Sequence, residues 1–140
     1  MSNHHSIRAA NPVLPIELIA NAKDAKRREI ESAIAMQLIA GVPFKFDEEN
    51  DVIQTRFERD LINISGITTR GILLQSQGEE GAVIQFRAES NTTYLLTPGE
   101  VISLGQAAAV YTEDIYNKGW TLKDKLAQAN DLDDITAITW

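Results

Sequence analysis

Residues 97–129, TPGEVISLGQAAAVYTEDIYNKGWTLKDKLAQA, read as one long helix. Thr97 is placed to cap it, Pro98 takes the first helical position, and Glu100 stands three residues after the cap, which is the pattern of a capping box with a proline start. At 100° per residue Val101, Leu104, Ala108, Tyr111, Ile115, Gly119, Leu122, Leu126 and Ala129 fall along one line. A thinner line on a neighbouring face holds Ile102, Gly105, Ala109, Tyr116 and Trp120. One apolar stripe faces a domain core; a second asks for another packing partner. The rod is about 45–50 Å long, longer than a compact domain of this size requires.

Working outward, residues 82–97 carry the clearest strand signal. Val83, Gln85 and Arg87 alternate with Ile84, Phe86 and Ala88, Glu89-Ser90-Asn91 turns the chain, and Thr92 to Leu96 returns into the long helix. Residues 55–77 gather Phe57, Leu61, Ile64, Ile67, Gly71 and Leu74 on one side of a wheel and read as a helix, with a loop from Gln75 to Gly81. Residues 42–54 read as a short hairpin in which Val42, Phe44 and Phe46 share a face and the acidic run Asp47 to Asp51 turns the chain. Residues 21–41 read as a helix capped by Asn21, solvated in its basic first half and buried along Ile30, Ile34 and Leu38; Gly41 and Pro43 stop it. After the long helix, Asn130 to Asp134 starts a last capped turn that Ile135, Ile138 and Trp140 fold back onto the domain. The expected class is α+β: short hairpins and three main helices, the longest near the C-terminus.

Residues 1–21 read as an extended N-terminal anchoring arm ahead of a domain spanning 22–140. Pro12 and Pro15 favour extended backbone, yet Ile7, Val13, Leu14, Ile16, Leu18 and Ile19 are apolar. Burying a large aliphatic side chain stabilises by about 1.5–3 kcal/mol, and ordering one backbone residue costs about 1–2 kcal/mol. Half a dozen apolar residues therefore cannot order such an arm alone. The arm either folds back on its own domain or docks on another chain; docking is the expected arrangement, with partner-binding residues in the arm and in the thinner stripe (Ile102, Ala109, Tyr116 and Trp120).

Composition narrows the function. A net charge of −7 over 140 residues opposes sequence-independent binding of nucleic acid and a polybasic membrane anchor. The chain has no cysteine, so thiol catalysis and Cys-ligated zinc are excluded. Its only histidines, His4 and His5, are adjacent and point apart in an extended arm. The acidic run 47–51 lacks the alternate ligand spacing, central glycine and closing glutamate of a calcium loop. No glycine-rich phosphate loop is present. We expect no enzyme, no cofactor and no metal site.

The stretch from Asn91 to Trp140 resembles a family of phage-encoded domains found in tail-fibre and tail-fibre-assembly proteins. The resemblance rests on Leu96-Thr97…Glu100, Leu122-Lys123…Leu126 and Leu132…Ile135…Trp140, with the upstream segment AKRREIESAIAMQLIAGVPFKFD (residues 25–47) matching the family's opening pattern. It covers roughly residues 22–140, matches loosely around Phe57 to Gly71, and lacks a Trp and an Asp-Asn pair common in the family's hairpin. It implies a structural component of a bacteriophage tail, in or near the fibre or baseplate, located in the virion and in the host cytoplasm during assembly. The implied partners are other tail proteins and further copies of the chain, a homotrimer being the leading arrangement. A tail-fibre assembly chaperone is the alternative.

Overall fold

The computed structural model describes residues 15–140. In chain order the elements are α1 (Pro15–Ala40), β1 (Val42–Phe46), β2 (Glu49–Ile53), α2 (Glu58–Ser76), β3 (Ile84–Arg87), β4 (Thr93–Leu96), α3 (Pro98–Gln128) and α4 (Leu132–Thr136). The class is α+β, with two separate antiparallel hairpins and the longest helix near the C-terminus.

α3 is the spine. Thr97 Oγ1 accepts from the Glu100 amide at 3.2 Å, and the Glu100 carboxylate accepts from the Thr97 amide at 3.1 Å. This reciprocal pair satisfies two of the donors that a helix start leaves open. Along the expected stripe Val101, Leu104, Ala108, Ile115, Gly119, Leu122, Leu126 and Ala129 are buried, and Tyr111 is half-buried.

Two apolar clusters share that spine. Around its N-terminal half, Val101, Leu104 and Ala108 meet Ile64 of α2 and Val42, Phe46, Ile53, Ile84 and Leu96 of the hairpins. Around its C-terminal half, Leu122, Leu126 and Ala129 meet Ile30 of α1 together with Ile135, Ile138 and Trp140. The last turn folds back as expected, capped by Asp131, whose carboxylate accepts from the Asp134 amide at 2.8 Å.

The hairpins form where alternation placed them. β1 and β2 pair from Val42 with Ile53 to Phe46 with Glu49; β3 and β4 pair from Ile84 with Leu96 to Arg87 with Thr93. Asp47 and Asn91 turn them in the left-handed region, at φ 53° and 71°, which Asp and Asn tolerate better than other side chains. Phe46 ties one hairpin to the other, stacking on Tyr94 with ring centroids 4.1 Å apart.

α1 departs from the sequence reading at its start. The described part of the helix runs from Pro15, so residues 15–20 are helical, not extended, and Asn21 lies inside the helix. Ile19 and Ala22 then pack on the C-terminal cluster. In the second half of α1 the expected face does turn inward, with Ile30 buried and Ile34 and Leu38 half-buried while Met36 and Ile39 on other faces are exposed; the first half is not wholly solvated, since Ile19, Ala22, Lys23 and Lys26 are half-buried. The end itself is as expected. Gly41 sits at φ 81°, a backbone conformation that favours glycine, and the buried Thr55 donates its hydroxyl to the otherwise open Leu38 carbonyl at 2.5 Å.

A candidate binding groove between the second and third helices

α2 runs antiparallel to α3 and sits closest to its start. A Cβ on Gly71 would lie 2.9 Å from the Pro98 carbonyl, and one on Gly105 would lie 1.9 Å from Thr68 Oγ1. The absence of both side chains brings the two backbones together. Beyond this contact, toward the middle of α3, an open groove of about 440 Å³ lies between the helices. Gly105, Ala108, Ala109 and Thr112 on α3 are small, Leu61, Ile64, Ser65 and Thr68 line it from α2, and Tyr116 and Trp120 stand toward the far end.

The chemistry of the groove is apolar. The hydroxyls of Thr68 and Thr112 donate back to the carbonyls of Ile64 and Ala108 at 2.6 and 2.7 Å, so their donors are already engaged. Glu113 is the single charged residue of the lining. Tyr116 and Trp120 pack with ring centroids 6.2 Å apart, and Trp120 remains 59% exposed. An exposed tryptophan beside a concave apolar surface is the residue type that anchors protein interfaces.

The partner-binding residues expected from sequence are thus divided. Ala109, Tyr116 and Trp120 converge on this groove. Ile102 is half-buried and points toward Gly71 within the same chain. Ile16 and Leu18 are exposed on the first turn of α1, while Ile19 is half-buried in the C-terminal cluster. Ile7, Val13 and Leu14 lie outside the described residues, as do His4 and His5. The sequence reading left Leu61, Ser65, Thr68 and Thr112 out of the site; only the α2–α3 packing brings them to it.

A second polar constellation, absent from the sequence reading, joins the hairpins. Asp51 accepts from the Tyr94 hydroxyl at 2.7 Å, the Val52 amide at 2.8 Å, the Ser90 amide at 3.3 Å and the Ser90 hydroxyl. Burial pushes the Asp51 carboxyl up, but the hydrogen bonds from Ser90, Tyr94 and the two amides outweigh it and hold the group below its usual range. Donation to that carboxylate raises the Tyr94 hydroxyl. Every member is engaged within the cluster, which suits it to clamp two hairpins together.

Three of the bases early in α1 have partners within the chain. Lys23 donates to the Ala127 carbonyl at 3.2 Å, Arg27 pairs with Asp24 at 2.8 Å and Lys26 with Glu29 at 3.0 Å. Among the described residues no group of three or more His, Asp or Glu side chains gathers as a metal site. No described helix is long and apolar enough to cross a membrane.

The chain matches the domain of unknown function DUF4376 over residues 21–139. It belongs to that family. The DUF4376 match starts inside α1 and takes in both hairpins, α2, α3 and α4, so the groove and the Asp51 cluster both fall within it. No curated protein and no solved structure matches the chain.

Proposed function

We propose that this DUF4376 chain is a non-enzymatic structural component of a bacteriophage tail, associated with the fibre or baseplate, that docks on a neighbouring tail protein. The placement in a tail rests on the family resemblance carried by Leu96-Thr97…Glu100 and Leu132…Ile135…Trp140. The docking role rests on one observation: the open groove between α2 and α3 presents Tyr116 and Trp120 over a small-residue apolar floor. Such a groove suits apolar side chains of a partner segment, and Glu113 offers one carboxylate to a partner base. The arm residues Ile7, Val13 and Leu14, continued by exposed Ile16 and Leu18, supply a second anchor in this reading.

The test is a mass-spectrometric census of purified virions from a phage encoding this chain. The expected result is a fixed copy number in the tail, and at least about a tenfold loss of incorporation for Trp120→Asp, corresponding to about 1.4 kcal/mol of docking energy. Absence of the chain from mature virions, with misassembled fibres in its deletion, would replace this reading with an assembly chaperone. Normal incorporation of Trp120→Asp would remove the groove from the docking surface.

A further inference from the structure

α1 and α2 lie on the same side of the spine, one after the other. Gly71 and Thr68 of α2 press on Val101 and Gly105, while Ile34 and Glu31 of α1 meet Gly119 and Lys123. Gly119 stands 18 residues after Val101, and Lys123 stands 18 after Gly105. That spacing is about five turns of helix, so each pair points the same way. The apolar groove fills the stretch between the two coverings. Its lining ends at Tyr116 and Trp120, where α1 begins to cover α3.

The two apolar cores have only α3 in common. Among the described residues, the core around Val101 and Leu104 takes no side chain from α1 or α4, and the core around Leu122 and Leu126 takes none from α2 or the hairpins. The second is also the smaller, with six buried residues against ten. Ile30 is the one buried side chain of α1, and Ile19, Ala22 and Ile34 pack half-buried beside it. Lys23 and Glu31 add exposed polar links to Ala127 and Lys123. The far end of α1 is held on the other core. Thr55 donates to the Leu38 carbonyl, and a Cβ on Gly41 would lie 2.8 Å from the Ile53 carbonyl oxygen. So α1 is hinged on the hairpin core at its end and fastened along its length to the smaller core. Units with few buried apolar contacts open at lower free energy than the rest of a fold.

We infer that α1 is a strap that opens together with α4 about its hinge at Gly41, while α2 and the hairpins stay folded on α3. Its opening uncovers Gly119 and Leu126 and so extends the apolar groove past Trp120. That the groove receives a partner rests on the function proposed above. The opening of α1 is measured without any partner, so the two can fail independently.

The test is hydrogen–deuterium exchange of the full chain, read by mass spectrometry under conditions where exchange reports the population of the open form. Peptides from α1 and α4 are expected to share one opening, populated at least about tenfold more than the opening that exposes α2 and the hairpins. Ile84→Ala, in the hairpin core, is expected to raise exchange of α2 and the hairpins at least about tenfold. It should leave α1 and α4 unchanged, because the hairpin core is folded both before and after the strap opens. Ile30→Ala is expected to raise exchange of α1 and α4 by a similar factor. It should also bind more Nile red, an uncharged apolar dye, and adding Trp120→Asp should reduce that gain. One common rate across all elements, or an Ile84→Ala effect as large in α1 and α4 as in α2, would overturn the separate opening. Dye uptake indifferent to Trp120→Asp would overturn the extension of the groove. Should Ile84→Ala fail to fold, the milder Ile84→Val makes the same comparison, and the native chain alone decides whether α1 and α4 open first.

Discussion

Thr68 and Gly105 share a space that admits only one side chain. A methyl group at position 105 would sit 1.9 Å from Thr68 Oγ1 and 2.8 Å from Thr68 Cβ. This contact sets how closely α2 lies on α3. Gly105→Ala should therefore lower stability by about 1–3 kcal/mol, despite the roughly 1 kcal/mol that alanine gains over glycine in a helix. Because Thr68 Cβ is itself too close, adding Thr68→Ala should recover only part of the loss. Chemical denaturation of both variants measures this; a stabilised Gly105→Ala would show that the helices separate without cost.

The spine provides a second check. Thr97→Ala removes one half of the reciprocal cap on α3 and should cost about 1 kcal/mol. Ile115→Ala should cost more, about 2–5 kcal/mol, since the side chain is buried on the core stripe and leaves a cavity. Denaturation midpoints that rank the two the other way would contradict the assigned core face.

Acid should loosen the clamp between the hairpins. The Asp51 carboxyl is held below its usual range in the folded chain, so its contribution is complete above the usual aspartate range and is lost as pH falls through the lower folded value. The stability difference between the native chain and Asp51→Asn should accordingly be steady near neutral pH and shrink at strongly acidic pH. Tyr94 behaves in the opposite sense. Its hydroxyl is raised, so its contribution holds through neutral pH and disappears only when alkali titrates the folded group. Thermal melts across pH, compared with Tyr94→Phe, read both limbs.

Trp120 separates folding from docking. Its side chain is 59% exposed, and substitutions at such sites typically change stability by about 0.5 kcal/mol or less. Trp120→Asp should melt close to the native chain with unchanged helicity while losing its partner. A large drop in melting temperature would place Trp120 in the core and remove it from the interface.

Much of this architecture was written locally. The cap on α3 is made by residues three apart, its core stripe by a 3.6-residue period, and the hairpins by alternation ending in Asp47 and Asn91 turns; each depends on neighbours in the chain. The residues of the aromatic pair Tyr116 and Trp120 were legible for the same reason. The start of α1 was not. A proline does not by itself say whether the residues after it are extended or helical, and packing of Ile19 and Ala22 on the cluster around Leu126 and Ile135 accompanies the helical outcome.

The sequence by itself determined the elements and the presence of a second apolar stripe on α3; the tertiary structure alone decided what that stripe meets. Gly105 and Ile102 are covered by α2 from within the chain, while Ala109, Tyr116 and Trp120 are left open. Asp51 likewise finds Ser90 and Tyr94 across 39 and 43 residues of chain. Periodicity reports which face of an element is apolar. Which partner reaches that face follows from long-range packing, where backbone approach at Gly71 and Gly105 fixes how far α2 covers α3 and where the groove begins.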